Sequence, residues 1–310
     1  MRSATPGIVL STESDSIFYL GSLSMNTRLH TNESTGQKMV EAGWLDLHFQ
    51  ASRTEYEAML RAVGMEKGWA VLDAGAGSGS YLPLLSELLD EEGVIHAVDL
   101  AEENVAAMRT LLEETPLGCP VEVAVGSVLE LPFPDASFDA VWCANTLQYF
   151  QPEDWPAIVA EFHRVLKPGG LVAIKEFDDV GLHFGPFDPV LVSRLLEILR
   201  GTGLLVGAGS MATVEQPGFL RAGGFGEVRF RSFVGDFQPP LTSVQREFLT
   251  SALALYSGLA ERAGLPEEEI ARWRRCIGDP ESPDYILNSP DFYFRELHGL
   301  ATGRVLEGKS

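Results

Sequence analysis

The residues that decide the fold are Trp69-Ala-Val-Leu-Asp-Ala-Gly-Ala-Gly-Ser-Gly-Ser-Tyr81. The apolar run from Ala70 to Leu72 predicts a buried strand that ends at Asp73, and glycines follow at positions 75, 77 and 79. A helical pattern then begins, with a proline in its first turn, where a missing N–H costs nothing. Strand, glycine loop and helix N-terminus together predict a binding site for an anionic group, because glycine allows close approach and helix N–H groups are unpaired there.

A second acidic residue follows a second predicted strand. Val94-Ile-His-Ala-Val-Asp99 indicates a buried strand that ends in a carboxylate, and a carboxylate at this place can bind both hydroxyls of a ribose. The dinucleotide fingerprint G-x-G-x-x-G would need a third glycine where Ser80 stands, whereas the loop has the pattern G-x-G-x-G. Asp99 by itself does not distinguish a nicotinamide dinucleotide from another ligand that contains a nucleoside.

Four motifs between about residue 69 and residue 177 carry a resemblance to a known family. They are V-L-D-A-G-A-G-S-G at 71–79, A-V-D-L at 97–100, L-P-F-P-D-A-S-F-D-A-V at 131–141 and R-V-L-K-P-G-G at 164–170. In this combination the chain resembles the class I S-adenosylmethionine (SAM) dependent methyltransferases, and most of all their small-molecule branch, typified by enzymes of ubiquinone and menaquinone biosynthesis.

Alternating strands and helices predict a doubly wound α/β sheet that is mostly parallel. The resemblance implies a Rossmann-like sheet of seven strands, with the seventh inserted antiparallel. The strands expected last are Glu227–Val234 and Asp291–Ala301. We therefore expect an N-terminal arm with helices that cap the site (1–63), a SAM-binding core (64–234), a helical insertion (235–289), and a last strand with a tail (290–310).

The resemblance also implies the cofactor, SAM, and the residues that bind it. They lie in the glycine loop and just after the strand ends, and they are Asp73, Gly75, Ala76, Gly77 and Gly79 for the methionine part, Asp99 and Leu100 for the ribose and adenine, Ser127 and Val128 after the third strand, and Asn145 after the fourth. Ser127 stands where the family often has an aspartate that contacts the adenine amino group.

Candidates for catalysis and acceptor binding lie at the carboxyl end of the fifth strand and in the N-terminal arm. Glu176 and His183 are candidate general bases, because ligands of open α/β sheets bind outside the carboxyl ends of the strands. A solvated acidic loop is an equally good interpretation of that segment. Phe177 and Tyr19 are the expected contacts of an apolar or aromatic acceptor.

Composition limits the partners. The chain has 310 residues with 23 basic and 44 acidic side chains, a formal net charge of −21, and no basic cluster, which disfavours a nucleic-acid substrate. Its three cysteines lack metal-binding spacing and indicate reduced thiols in the cytoplasm. The first 30 residues contain no apolar run long enough for a signal peptide or a membrane span.

The function that these features predict is methyl transfer from SAM to an O, N or C atom of a small, apolar or aromatic metabolite. The alternatives are a nicotinamide-dependent oxidoreductase and a protein that binds SAM without transferring a methyl group. The insertion has two interpretations: a lid over the acceptor site, or a surface that packs on the sheet's own helices or on a second subunit of a homo-oligomer.

Overall fold

The computed structural model describes residues 29–31, 38–40, 42–200 and 212–307. The predicted acceptor contact Tyr19, together with the rest of the arm before residue 29, lies outside the described residues.

A seven-stranded sheet forms the centre of the molecule, in the order β5-β4-β3-β6-β7-β9-β8. All neighbouring pairs from β5 to β7 are parallel, and β9 runs antiparallel between β7 and β8, which confirms the predicted fold class. The strands are β3 (Ala70–Ala74), β4 (Val94–Asp99), β5 (Val121–Val125), β6 (Phe138–Ala144), β7 (Leu166–Gly185), β8 (Phe225–Phe237) and β9 (Tyr293–Val305), and the separate short pair is β1 (Leu29–Thr31) and β2 (Lys38–Val40).

Helices cover both faces of the sheet and one end of it. Two apolar clusters fill the two sides of the sheet, one mainly with α5 and α7 and the other with α2, α3 and α4. The helices are α1 (Ala42–Ala51), α2 (Arg53–Val63), α3 (Leu82–Leu89), α4 (Glu102–Glu114), α5 (Trp155–Val165), α6 (Pro189–Arg200), α7 (Gln216–Ala222), α8 (Ser243–Arg262) and α9 (Glu267–Trp273).

The order of the strands reverses between β3 and β6, and this reversal fixes where a ligand can bind. β3 continues to β4 and β5 on one side, whereas β6, β7 and the last pair lie on the other. In open α/β sheets the crevice at such a switch point, outside the carboxyl ends of the strands, is the ligand site. Ala74, Asp99 and Ala144 end the three strands that meet there.

Three strands are longer than the sequence predicts, which gives Leu171–Phe177 for the first of them. β7 begins at Leu166, before the Lys167-Pro-Gly-Gly170 turn, because Leu166 already pairs with Phe138 and the register then shifts. Its other end continues to Gly185 against β9, while β8 exceeds its predicted range at both ends and β9 begins later, at Tyr293, and ends later, at Val305. This long arm of the sheet supplies the surface on which the insertion helices pack.

The insertion between β8 and β9 buries its apolar face within the same chain. Phe248 of α8 and Trp273 of α9 are fully buried in a third apolar cluster, which contains Phe184 of β7, Phe294 of β9 and much of α6. The apolar faces of this insertion thus find partners without a second subunit.

The start of α8 offers a test of how firmly the insertion is held. Thr242 and Gln245 form the predicted capping box, in which each side chain accepts from the other residue's backbone N–H at 3.2 and 3.0 Å. We expect Thr242→Ala to lower the free energy of unfolding by about 1 kcal/mol, since one helix N–H loses its acceptor. Urea unfolding followed by circular dichroism measures this, and Thr242→Ser, which keeps the acceptor oxygen, should lose far less.

The described ranges contain no candidate for a membrane-spanning helix or for a metal site held by His, Cys, Asp and Glu side chains. None of the helices there combines the length and the hydrophobicity that crossing a bilayer requires. No group of three or more His, Cys, Asp and Glu side chains in these ranges is placed to hold a metal ion.

Candidate functional site

A cleft of about 970 Å³, partly open to solvent, lies at the switch point of the sheet. One end is formed by residues after β4 and β5, and the other by α1 and α2. Nine of the ten predicted cofactor residues line this cleft: Asp73, Gly75, Ala76, Gly77, Asp99, Leu100, Ser127, Val128 and Asn145. Asn104, Thr146, Tyr149 and Phe150 complete the wall between the two ends.

Gly75 must be a glycine for two reasons. Its φ of +76° lies in the left-handed region, and a Cβ there would stand 2.4 Å from both Oγ1 and Cγ2 of Thr146. The N–H groups of Gly75 and Ala76 both donate to the Val98 carbonyl at 2.9 Å, and the Thr146 hydroxyl donates to the Gly75 carbonyl at 3.1 Å. The loop is therefore fixed against β4 on one side and against the end of β6 on the other.

Gly79, the tenth predicted cofactor residue, does not line the cleft. A Cβ at this position would stand 2.8 Å from Leu82 and 2.9 Å from Met108, both buried side chains. Its φ is +88°. The structure thus places this glycine where the loop packs against α3 and α4.

Asp99 holds the glycine loop and lines the cleft at the same time. One carboxylate oxygen, Oδ2, accepts from the Gly77 N–H at 2.8 Å, and Oδ1 accepts from the Ala101 N–H and the Asn104 side chain, both at 2.9 Å. Burial raises the pKa of Asp99 despite these hydrogen bonds. Two carboxylate oxygens offer about four acceptor sites, so the group retains capacity for a ligand hydroxyl.

Asp73 is the most perturbed acid of the cleft wall. It is 1% exposed, and its Oδ2 has no hydrogen-bond partner in the described part of the chain. Burial, with a smaller contribution from the charge of Asp99, raises the pKa of Asp73 to about 8. A buried carboxyl with an unsatisfied oxygen is costly unless a ligand partners it.

After β5, Ser127 and Val128 form the far end of the cleft beside Leu100. The Ser127 hydroxyl accepts from the Leu129 N–H at 3.2 Å, within its own turn. Since a hydroxyl has two acceptor lone pairs and one donor, Ser127 can still bond one ligand atom.

Asn145 follows β6 and stands at the centre of the cleft. Its φ of +53° is a left-handed conformation, which asparagine tolerates better than most residues. Its N–H donates to the Lys175 carbonyl at 2.7 Å, and its Oδ1 accepts from the Lys175 ammonium at 2.8 Å. The ammonium also lies 4.0 Å from the centre of the Tyr56 ring, and burial lowers the pKa of Lys175 to about 7.

Glu176, the first predicted base, is fully buried and braces the cleft wall. Its Oε1 accepts from the backbone N–H groups of Thr146 and Leu147 at 2.8 and 2.7 Å. Burial raises the pKa of Glu176 against these hydrogen bonds and the charge of Lys175. The carboxyl is not part of the cleft lining.

The other two predicted acceptor-side residues in the described ranges also lie off the cleft lining. His183 is half-buried on the outer arm of β7, where its ring is 6.4 Å from the Tyr293 ring. Phe177 packs edge-on to His298, with ring centroids 5.7 Å apart.

Four residues that the sequence analysis did not name as site candidates form the end of the cleft opposite Ser127 and Val128. They are Leu45, His48 and Phe49 of α1 and Tyr56 of α2. Behind them lie Glu296 and His298 of β9, both buried. Because the two residues are two positions apart, they lie on the same face of β9. Two polar residues on one face of a strand with an apolar interior were the sequence signal that could have pointed to this part of the site.

Comparison with known proteins supports the fold and shows a methyltransferase-like segment within it. A family model described as a methyltransferase domain matches residues 71–170. Demethylmenaquinone methyltransferases from Geobacillus kaustophilus and Listeria welshimeri are 31% identical over 120 residues and 33% identical over 114 residues, or 39% and 37% of this chain. A solved structure from Bacillus halodurans C-125, proposed to be a methyltransferase, has a TM-score of 0.52 and 18% identity, and the match covers 82% of this chain and 99% of that one.

The matches to the two curated relatives span about half of each relative, 50% and 47% of their lengths. Residues 71–170 therefore match a methyltransferase-domain family model, and the chain shares its fold with the Bacillus halodurans structure.

Proposed function

We propose that the chain is a SAM-dependent methyltransferase that acts on a small-molecule acceptor. The observation that carries the proposal is the buried, unpartnered Oδ2 of Asp73 in a cleft that also holds Asp99. SAM has a cationic amino-acid part and a ribose with two hydroxyl groups. Asp73 fits the first as a counter-charge and Asp99 fits the second as an acceptor, so the residues present suit this cofactor.

The other residues of the cleft have roles that follow from their positions. Gly75, Ala76 and Gly77 give the methionine part a backbone surface without side-chain obstruction, while Leu100 and Val128 supply apolar contacts for the adenine. When bound, SAM supplies a methyl group already activated by its sulfonium. The chain then needs to hold the acceptor in line with that methyl, which can contribute effective molarities of about 10⁵–10⁸ M.

The pKa of Asp73 gives the proposal a specific test. With a pKa of about 8, Asp73 is mostly protonated at pH 7 in the free protein. A cationic ligand group beside it favours the carboxylate, so we expect SAM binding to release most of one proton at pH 7 and almost none at pH 9. Calorimetric titration in buffers of different ionisation enthalpy measures that proton.

Asp73→Asn is the matched control, because it keeps the shape and removes the charge. It should abolish the proton release and weaken SAM binding at pH 9 more than at pH 7. Its stability should also depend less on pH between 4 and 8, since the raised pKa of Asp73 means that the native state loses stability as the pH rises through this range. Binding of NAD without binding of SAM would instead favour a nicotinamide-dependent oxidoreductase, and SAM binding without turnover would favour a non-transferring protein.

We further propose that residues 1–63 and the insertion 235–289 form a cap over the acceptor side of a core made of 64–234 and 290–310. Support comes from α8, whose Phe248 ring stacks on the His48 ring of the cleft, 4.5 Å between centroids and 4° between planes. Tyr256 of α8 also donates to Asp179 of β7 at 3.2 Å. A cap at this place would exclude water and shape the choice of acceptor.

Partners and compartment belong to the same proposal. The net charge of −21 opposes a polyanionic substrate and supports a small molecule over a nucleic acid. All three cysteines are free thiols, which supports a reducing compartment such as the cytoplasm.

A further inference from the structure

A histidine held by a buried glutamate stands at the acceptor-side end of the cleft. His48 of α1 lines the cleft, and its Nε2 lies 2.9 Å from Oε2 of Glu296 in β9. The two residues are 248 positions apart in the chain, so the fold itself assembles the pair. A base next to an orienting carboxylate is the arrangement that activates nucleophiles in many enzymes.

The surroundings of Glu296 keep its side chain ionised. Its Oε1 accepts from the Ser52 hydroxyl at 2.6 Å and from His298 Nε2 at 3.1 Å, while its Oε2 faces His48. Burial works to raise the pKa of Glu296, but the charges and hydrogen bonds of the two histidines outweigh burial and hold the pKa well below its usual range. A charged acceptor here stabilises a proton on the imidazole of His48.

The same contact sets the tautomer of His48. With Nε2–H donating to Glu296, the lone pair is on Nδ1, where it can accept a proton. The Tyr56 hydroxyl lies 3.1 Å from Nε2 and 3.4 Å from Nδ1, and the contact with Nδ1 is a long one that another hydroxyl can replace. Burial raises the pKa of Tyr56 well above its usual value, so its hydroxyl stays protonated and serves as a donor.

We propose that His48 is the general base of the methyl transfer, that Glu296 is its positioning residue, and that the acceptor is a hydroxyl compound of the phenol or enol class. This inference rests on the proposed methyltransferase function and narrows the acceptors to hydroxyl compounds, with methylation at oxygen rather than at carbon as the outcome that the first test must show. A phenol gives up its proton less readily than an imidazolium does, so the base acts by taking the proton as the oxygen attacks. An amine attacks through a free lone pair and would not need such a pair in the cleft.

In the transfer, an O–H bond and an S–C bond break, and an N–H bond and an O–C bond form. The acceptor's O–H bond breaks and its proton passes to Nδ1 of His48, while an oxygen electron pair forms the new O–C bond to the methyl group. The S–C bond of SAM breaks and its electron pair stays on sulfur, which becomes neutral. Glu296 stabilises the resulting imidazolium, and water then takes the proton from His48.

Other candidate bases near the cleft are engaged or lie off its lining. Oε1 of Glu176 accepts two backbone N–H groups, and its Oε2, although without a hydrogen-bond partner in the described residues, is buried in a side chain that is not part of the lining. The Lys175 ammonium is bonded to Asn145. His183 lies away on the outer arm of β7. His48 combines access to the cleft with an orienting carboxylate.

The first test uses matched acceptors that differ in one atom: phenol against aniline, and 1-naphthol against 1-naphthylamine. Incubation with SAM followed by mass spectrometry should give methyl ethers from the hydroxyl compounds. N-methylation alone, ring methylation of 1-naphthol, or no product from a protein that binds SAM would overturn the assignment of oxygen. A protein that fails to bind SAM would instead overturn the underlying proposed function, so the two failures are distinguishable.

The second test separates catalysis from structure by variants. His48→Gln should lower turnover of 1-naphthol by about 100-fold or more, the range of general-base contributions, with SAM affinity changed less than twofold. Glu296→Gln should lower it less, because the base remains. His163→Gln, in α5 beside Phe225, is the control and should match the wild type. Turnover of 4-nitrophenol, already ionised at pH 8.5, should be nearly unaffected in His48→Gln.

The third readout needs no SAM. Wild-type protein in excess should raise the phenolate absorbance of 4-nitrophenol at pH 6.5, because His48 takes its proton, and His48→Gln should not. If His48→Gln loses 4-nitrophenol turnover as severely as 1-naphthol turnover, or if both proteins change the absorbance equally, His48 is a structural residue and the proposal is wrong.

Discussion

Gly75→Ala is expected to weaken SAM binding at least about 100-fold and to lower the free energy of unfolding by about 2–4 kcal/mol. The new methyl group would stand 2.4 Å from two side-chain atoms of Thr146 and would require φ of +76° from an L-residue. Thr146 cannot turn away at low cost, because its hydroxyl donates to the Gly75 and Ala144 carbonyls and its N–H donates to Glu176. Calorimetric SAM titration and urea unfolding measure the two effects.

Gly258→Ala is the matched control for this substitution. Gly258 lies within α8 with no neighbouring heavy atom within 4 Å of a Cβ, so alanine should raise stability by about 0.5–1 kcal/mol and leave SAM binding unchanged. Gly75→Ala combined with Thr146→Gly should recover part of the lost affinity, since the clash is removed and only the backbone strain remains. Normal SAM affinity in Gly75→Ala would show that the cofactor does not depend on this loop.

The fold could be predicted because its signals are local. Apolar runs that end in Asp73 and Asp99, together with the turn chemistry between them, specify strands and loops within a few residues. The lengths of β7, β8 and β9 could not be predicted in the same way. Those strands extend because their outer ends pair with each other and pack under α8 and α9, contacts made across more than 50 residues of chain.

The two ends of the candidate site differ in the same way in how well the sequence predicts them. The predicted cofactor residues lie on loops that directly follow strands, so motif residues such as Gly75 and Asn145 fall on the cleft. The opposite end is assembled from α1 and α2 with β9 behind them, and its residues His48 and Glu296 are distant in the chain. The sequence pointed instead to Glu176, next to the expected crevice, because the end of a strand does not reveal which way its polar side chains are bonded.

Glu176→Ala is expected to lower the free energy of unfolding by about 2–5 kcal/mol. It leaves the buried N–H groups of Thr146 and Leu147 without their acceptor, and each unsatisfied donor costs about 1–3 kcal/mol. The turn that carries Thr146 also fixes Gly75, so SAM affinity should fall more than tenfold as the loop loosens. Urea unfolding and SAM titration give both values.

Glu176→Gln distinguishes this bracing role from the role of a base. The amide keeps a carbonyl oxygen for the two N–H groups, so stability and turnover should both stay within a few-fold of the wild type. A general base cannot survive the change to an amide, because an amide accepts no proton at neutral pH. A contrary result would be a stable Glu176→Gln protein that binds SAM normally but loses turnover by 100-fold or more. That result would show that Glu176 is the general base and that His48 is not.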